Sequence, residues 1–446
     1  MRRLSLPIRF RPMAAWALIA TLALPTACKD ILKVEDPQTF GNQDLDDPAI
    51  LAAVADGVEG IFQQTFDDAL VYAGLMSDEL EDTSTWVAWA DMSAGVFTPN
   101  YAGGTTDFAG PQNDLLRARY AAVDATARFE RVLGKDVASK SKILAQVKTT
   151  EAWADLINSM DYCEAPVTAG GPREPDSEVL KATLPKFTEA IAVSTAAGSS
   201  AADYLSWARA GRARTNLFLG NYDAALADAQ AVPANYRKQA LYAEGVSTHF
   251  PGNQLHTNRN RSGSLRSIWW SMVDTSNNAV ATNIQVVKDP WTLKEDNRMQ
   301  VLHPRGRLGV NNKTRHYSIQ KYADRASPIT ITSKREMNLI EAEAFWRKGQ
   351  LTQAIDALNR NRTTAPANLT AFDAAGLSAN DVFQRILSER FAELFVEGHR
   401  LNDLARFNLV KDRLGAGRSL KFPLSRTEIL NNASMKEGEA TCPKIS

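Results

Sequence analysis

Cysteine and histidine are scarce: the 446 residues hold three Cys and five His. No CxxC pair and no Cys/His cluster with metal-ligand spacing occurs, so the sequence offers no zinc site and implies no cofactor. Charge of either sign in excess is also missing, since 51 basic residues meet 51 acidic ones. That balance removes the electrostatic case for nucleic acid. Apolar runs long enough to cross a bilayer are absent beyond the first residues. What remains is an ordinary globular composition, 44% apolar and 23% charged, with length enough for a substantial core.

The N-terminus reads as a targeting segment. Arg2, Arg3, Arg9 and Arg11 precede "MAAWALIATLAL" and then "PTAC", a basic stretch and a short apolar core ending at Cys28. The pattern resembles a bacterial lipobox, in which the signal (1–27) is cut before a cysteine that is then lipidated. Ala27 fits the position before the cut, whereas Pro25 stands where Leu is preferred. A plain cleaved signal is the alternative. Lys29, not Asp, follows Cys28, which favours the outer membrane over retention in the inner one. With Cys28 lipidated, Cys163 and Cys442 remain. An even remainder in an oxidising compartment implies a disulfide, with two unrelated thiols as the other reading.

Periodicity from residue 47 onward is mainly helical, with apolar residues at i, i+3, i+4 and i+7. Helical hairpins are expected over about 47–82, 114–160, 178–240 and 334–407. Residues 83–112 and 245–332 are rich in Gly, Thr, Asn and Pro and read as irregular, with strand-like pieces at "NIQVV" and "HYSIQKY"; 408–446 form a C-terminal tail. Two segments resemble each other, "NLFLGNYDAALADA" (216–229) and "FWRKGQLTQAIDAL" (345–358). Each stops a helix at a Gly (Gly220, Gly349) and places an Ala five residues on (Ala225, Ala354). This is the tetratricopeptide helix–turn–helix pattern, interrupted by a large insert.

The stretch "ILSERFAELFVEGHRLNDLARF" (386–407) reads as a helix with an apolar face that carries many charges. Arg390 falls between Leu387 and Leu394 and points to the core, where an unpaired charge costs several kcal/mol or more. Glu393, Glu397 and Asp403 are its candidate partners. Glu389, Arg390, Glu397, Arg400 and Asp403 therefore read as structural ion pairs, not as a catalytic set. The acidic run "SDELEDTS" (77–84) reads as a solvated helix end, the alternative being contacts to a cation or to sugar hydroxyls.

The 386–407 stretch closely resembles the C-terminal signature of the SusD/RagB family, ER-x-x-EL-x-x-EG-x-R-x-x-DL-x-R. Glu389, Arg390, Glu393, Leu394, Glu397, Gly398, Arg400, Asp403, Leu404 and Arg406 all match it. Other landmarks follow in order: "CKDILKVEDP", "EDNRM" (295–299), "QKY" (320–322), "EMNLIEAEAFWRKGQLTQAIDALNRNR", and "FPLSRTEILNN" with Ser425 in place of a second Pro. The resemblance implies one SusD-like domain over 28–446, a mainly α, tetratricopeptide-like scaffold bearing an irregular ligand-binding lobe. It also implies a surface-exposed outer-membrane lipoprotein, not an enzyme. Such a protein captures oligosaccharides or peptides for a SusC-type TonB-dependent transporter.

The signature fixes no ligand residues. Sugars present apolar C–H faces, so loop aromatics are the candidates: Trp86, Trp89 and Tyr101 in the first irregular stretch, and Trp269, Trp270 and Trp291 in the insert. Taken alone, each Trp reads first as a core or loop anchor; the favoured ligand contacts are Trp86 or Trp89 together with at least one insert Trp. A protein-interaction scaffold, and a glycoside hydrolase using two carboxylates, are the competing function classes.

Overall fold

In the computed structural model the first long apolar-periodic segment forms one continuous helix. α1 runs over Leu51–Met76, so the expected 47–82 hairpin is a single helix, and α2 (Val87–Ala94) lies inside the stretch expected to be loop. The structure describes residues 44–97, 109–244, 252–259, 265–266, 284–302, 308–314, 316–436 and 442. Within them follow α3 (Ala109–Leu133), α4 (Lys142–Asp161), α5 (Asp176–Ala197), α6 (Ala202–Phe218) and α7 (Tyr222–Ala231). After the insert come α8 (Lys334–Arg347), α9 (Leu351–Arg362), α10 (Ala379–Glu393) and α11 (Arg400–Arg406). The chain is predominantly helical.

From α3 to α7 each helix packs on the one before it, while α1 lies against α3 and α4. Helix starts are written locally. The Ser141 and Ser333 hydroxyls accept the N–H groups of Leu144 and Glu336, and Ser378 with Asp381 makes a capping box. The two look-alike segments are α6–α7 and α8–α9. Gly220 and Gly349 turn the chain between their helices at φ 80° and 74°, a left-handed conformation that suits glycine. Ala225 and Ala354 are fully buried, and α8 packs directly on α7, so the insert leaves the helical scaffold and returns to it.

The core centres on two buried indoles. Trp153 of α4 and Trp207 of α6 stack at 5.9 Å, and the Trp153 Nε1–H donates to the Trp207 carbonyl at 3.1 Å. Phe187 of α5 meets Trp153 edge-on at 5.9 Å, so one aromatic cluster fastens three consecutive helices. The tail is tied to the same scaffold. Cys163, just after α4, is disulfide-bonded to Cys442 with 5.4 Å between their Cα atoms. The Cys163 N–H donates to the Phe422 carbonyl at 2.9 Å, and the Phe422 N–H to the Asp161 carbonyl at 2.8 Å.

The insert is less irregular than its composition implies. Four strands matter here: β1 (Arg237–Ala240), β2 (Ile284–Lys288), β3 (Glu295–Leu302) and β4 (Ile329–Ser333). β2 and β3 pair antiparallel, β3 continues to the short strand Ser318–Ile319, and β1 pairs with β4. The expected strand pieces "NIQVV" and "HYSIQKY" thus meet through Gln300–Leu302, the end of β3 that follows "EDNRM" and whose strand character the sequence did not announce. Among the described residues no helix is long and apolar enough to cross a membrane.

Candidate functional site

The charged stretch is two helices, not one. α10 ends at Glu393, and a turn holding Val396 at φ 50° and Gly398 at φ 78° leads into α11. A Cβ on Gly398 would stand 2.2 Å from Leu70 Cδ2 of α1, so both the backbone angle and the close approach require glycine. Across this corner Arg390 donates from Nε and Nη2 to Asp403 at 2.8 and 2.9 Å. Burial works against a charge on Asp403, but Arg390 and Arg406 outweigh it and hold the carboxyl well below its usual range. Arg406 also bonds Glu343 of α8.

The remaining charges fasten the insert to the helices. Glu389 accepts from Arg298 of β3 and from Arg362 of α9, each at 2.7 Å. Arg362 reaches on to Asp289 at 2.7 Å, and Arg298 to Asp296 at 2.6 Å. Lys321 donates to Glu397 at 2.9 Å and to the Phe395 carbonyl at 2.7 Å. Burial still raises the Glu397 carboxyl, against the pull of Lys321. Every motif charge thus has a partner, most of them buried.

The acidic run 77–84 corrects an expectation: it is not a solvated helix end. Asp78, Glu79 and Asp82 are buried. Asp78 accepts from Arg400 Nε and Nη2 at 2.5 and 2.7 Å, and Glu79 accepts the Val396 N–H at 2.8 Å. Burial pushes the Glu79 carboxyl up to about 8, although the Val396 N–H and Arg400 oppose it. The available signal was on the other side: Arg400 needed an acid that its own helix pair does not supply.

The candidate aromatics separate. Trp86 sits just before α2, half exposed, with its N–H donated to the Ser84 hydroxyl at 3.0 Å. Trp89 is only 4% exposed, so it offers no face to a ligand and is core. It meets Trp86 edge-on at 5.1 Å and Tyr72 edge-on at 6.5 Å, and so backs the exposed indole. The next loop closes in beside Trp86: the Asn311 N–H donates to the Thr83 carbonyl at 3.0 Å, and Gly309 lies hard against Thr83. Leu308, Val310 and Val87 are exposed there, giving an apolar ledge with an amide-bearing border.

Trp291 is 41% exposed but occupied otherwise. Its Nε1–H donates to the Ser388 hydroxyl at 3.0 Å, Arg385 lies 4.4 Å over the ring, and Phe372 abuts it at 6.2 Å. It pins the β2–β3 connection to α10. Among the described residues no ring contact joins it to Trp86. Tyr101, Trp269 and Trp270 lie outside the described residues, as does Cys28. Among the described residues no group of three or more His, Cys, Asp or Glu is placed to hold a metal.

Residues 302–440 match the model of the SusD family. Solved structures share the fold over most of the chain. A SusD superfamily protein from Bacteroides thetaiotaomicron VPI-5482 superimposes with TM-score 0.61 at 16% identity, over 88% of this chain and 98% of that one. A SusD-like carbohydrate binding protein from Bacteroides vulgatus ATCC 8482 gives 0.57 at 15%, covering 80% and 83%. A laminarin binding SusD-like protein gives 0.60 at 15%, covering 88% and 98%. No curated protein matches the sequence. At these identities the structural likeness establishes the fold, and the family pattern lies in the C-terminal third.

Proposed function

We propose that this SusD-like chain is a non-catalytic oligosaccharide-binding lipoprotein, a single domain over residues 28–446. It is held in the outer membrane by lipid on Cys28 and delivers its ligand to a SusC-type TonB-dependent transporter. One observation carries the binding role: Trp86 presents a half-exposed indole braced edge-on by buried Trp89, beside an amide-bearing loop. A braced indole stacks on a sugar face without first losing side-chain freedom, and an aromatic contact of this kind contributes roughly 0.5–1.5 kcal/mol. The carbohydrate-binding relatives of the same fold support this reading.

Calorimetric titration with a panel of neutral glycans, laminarin among the first, tests the binding. Trp86→Ala should weaken the interaction about tenfold, equivalent to about 1.4 kcal/mol. Equal binding by wild type and variant would reject the ledge, and intact protein that binds no glycan would reject the capture role. Affinity purification from outer membranes in mild detergent tests the partner. A co-eluting TonB-dependent barrel is expected, and its absence from anchored protein would favour an interaction scaffold built on the helical hairpins.

A further inference from the structure

A polar groove runs along the junction of the β1–β4 pair with α8, α9 and the α10–α11 turn, and shares no residue with the Trp86 ledge. It consists of two cavities, about 520 and about 420 Å³, both walled by Arg237 and Arg335 or its partner Glu393. Each falls within the size range of small-molecule sites. The larger cavity is walled by Arg237, Lys334, Arg335 and Arg360, with Asn235 and Asn338 between them.

The acids do not balance these cations. Lys334 and Arg360 share one carboxylate, Glu341. Arg335 takes Glu393, which Arg298 also contacts. Arg237 is exposed, and among the described residues its guanidinium forms no hydrogen bond and no ion pair. The groove therefore carries positive charge in excess of its acids.

Its amides are unspent as well. Gln239, Asn297 and Gln300 wall the smaller cavity, and their side chains have no hydrogen-bond partner among the described residues. Asn338 is 7% exposed; its Nδ2 donates to Asn361 at 2.8 Å, yet its buried Oδ1 has no partner. A buried acceptor without a donor costs about 1–3 kcal/mol, so such an atom marks a place where a donor belongs.

The geometry points to a second ligand site here, for an acidic sugar of the uronate type. The free guanidinium fork of Arg237 suits a carboxylate, which it can hold with two parallel bonds. The unpartnered amides suit ring hydroxyls, which donate and accept as an amide does. Neutral sugars lack the anion, and simple carboxylates lack the hydroxyls. The groove thus selects on charge, and the ledge on an apolar face.

The test uses detergent-solubilised lipoprotein, titrated calorimetrically with galacturonate, glucuronate, glucose and acetate. Either uronate should bind at least tenfold more tightly than glucose and acetate, and added salt should weaken it. Arg237→Gln should cost tenfold or more, and Asn297→Ala, on the other wall, about threefold. Trp86→Ala should leave uronate binding unchanged. The site is overturned if glucose or acetate matches the uronates, if Arg237→Gln binds them as wild type does, or if Trp86→Ala abolishes their binding. Thermal unfolding of Arg237→Gln should coincide with wild type, since the side chain touches no partner. Neutral-glycan binding at the ledge is read separately, so either site can fail alone.

Discussion

The α10–α11 corner and the groove beside it are made from the same residue types, and they use them in opposite ways. At the corner Glu389, Arg390, Arg400 and Asp403 are buried and each is bonded to a partner of opposite charge. In the groove Arg237, Gln239, Asn297 and Gln300 line open volume and stay unpartnered. A buried charge left alone is costly, so a packed corner must close its pairs. A solvent-filled groove has no such requirement, because water satisfies its groups until a ligand replaces it. Charge density therefore does not locate a binding site; unspent charge does.

The contrast breaks most readily at the buried pairs. Arg362→Ala strips partners from Asp289 and Glu389 and should cost about 3–5 kcal/mol in denaturant unfolding, while Arg237→Ala stays within about 0.5 kcal/mol. Comparable losses in both variants would erase the distinction. Trp89→Ala and Trp86→Ala sharpen it among the aromatics. The buried indole should cost about 3–5 kcal/mol of stability, and the exposed one should affect glycan binding with little change in unfolding. Cys163→Ser removes the link closing a loop of 279 residues and should cost about 2–5 kcal/mol. Non-reducing peptide mapping of the wild type that finds both thiols free would reject that link.

The smallest effect concerns pH. Glu79 has its carboxyl raised by burial from the usual 4.5 to about 8, so the folded state holds a proton that the unfolded chain releases. Through this group stability falls as pH rises from about 4.5 to about 8. Glu79→Gln keeps an acceptor for the Val396 N–H and should flatten that decline, gaining stability at pH 8 relative to pH 5. Asp403 acts in the opposite sense and lower in the scale: its depressed carboxyl contributes stability that is lost as pH falls into the acid range. Unfolding midpoints at both pH values separate the two, and an unchanged slope in Glu79→Gln would remove Glu79 from the balance.

Much of the scaffold was legible in order. The 3.6-residue periodicity, Gly220 and Gly349, and the signature from Glu389 to Arg406 are local patterns, and a helix reads its own sequence. Segments 77–94 were misread for the same reason. The four acids of 77–84 resemble a solvated end when viewed alone, and Val87–Ala94 lies among Gly and Thr that imply loop. Within the candidate site, Trp86 was found by composition, but Trp89 could not be told from it. Both stand in the same short run, and only the neighbours that cover Trp89 differ.

The sequence by itself determined the helical character of the chain, the glycine turns of the two look-alike segments and the need of Arg390 for an acid nearby, because each depends on residues a few positions apart. Tertiary structure alone decided which acid meets which cation over long separations. Asp78 meets Arg400 across 322 residues, and Glu389 joins Arg298 to Arg362. It also decided that α8 lies on α7 and that Arg237 is left facing open volume. Pairing a buried charge is required everywhere, but the partner is whichever opposite charge the packed helices bring within 3 Å, and periodicity carries no record of that.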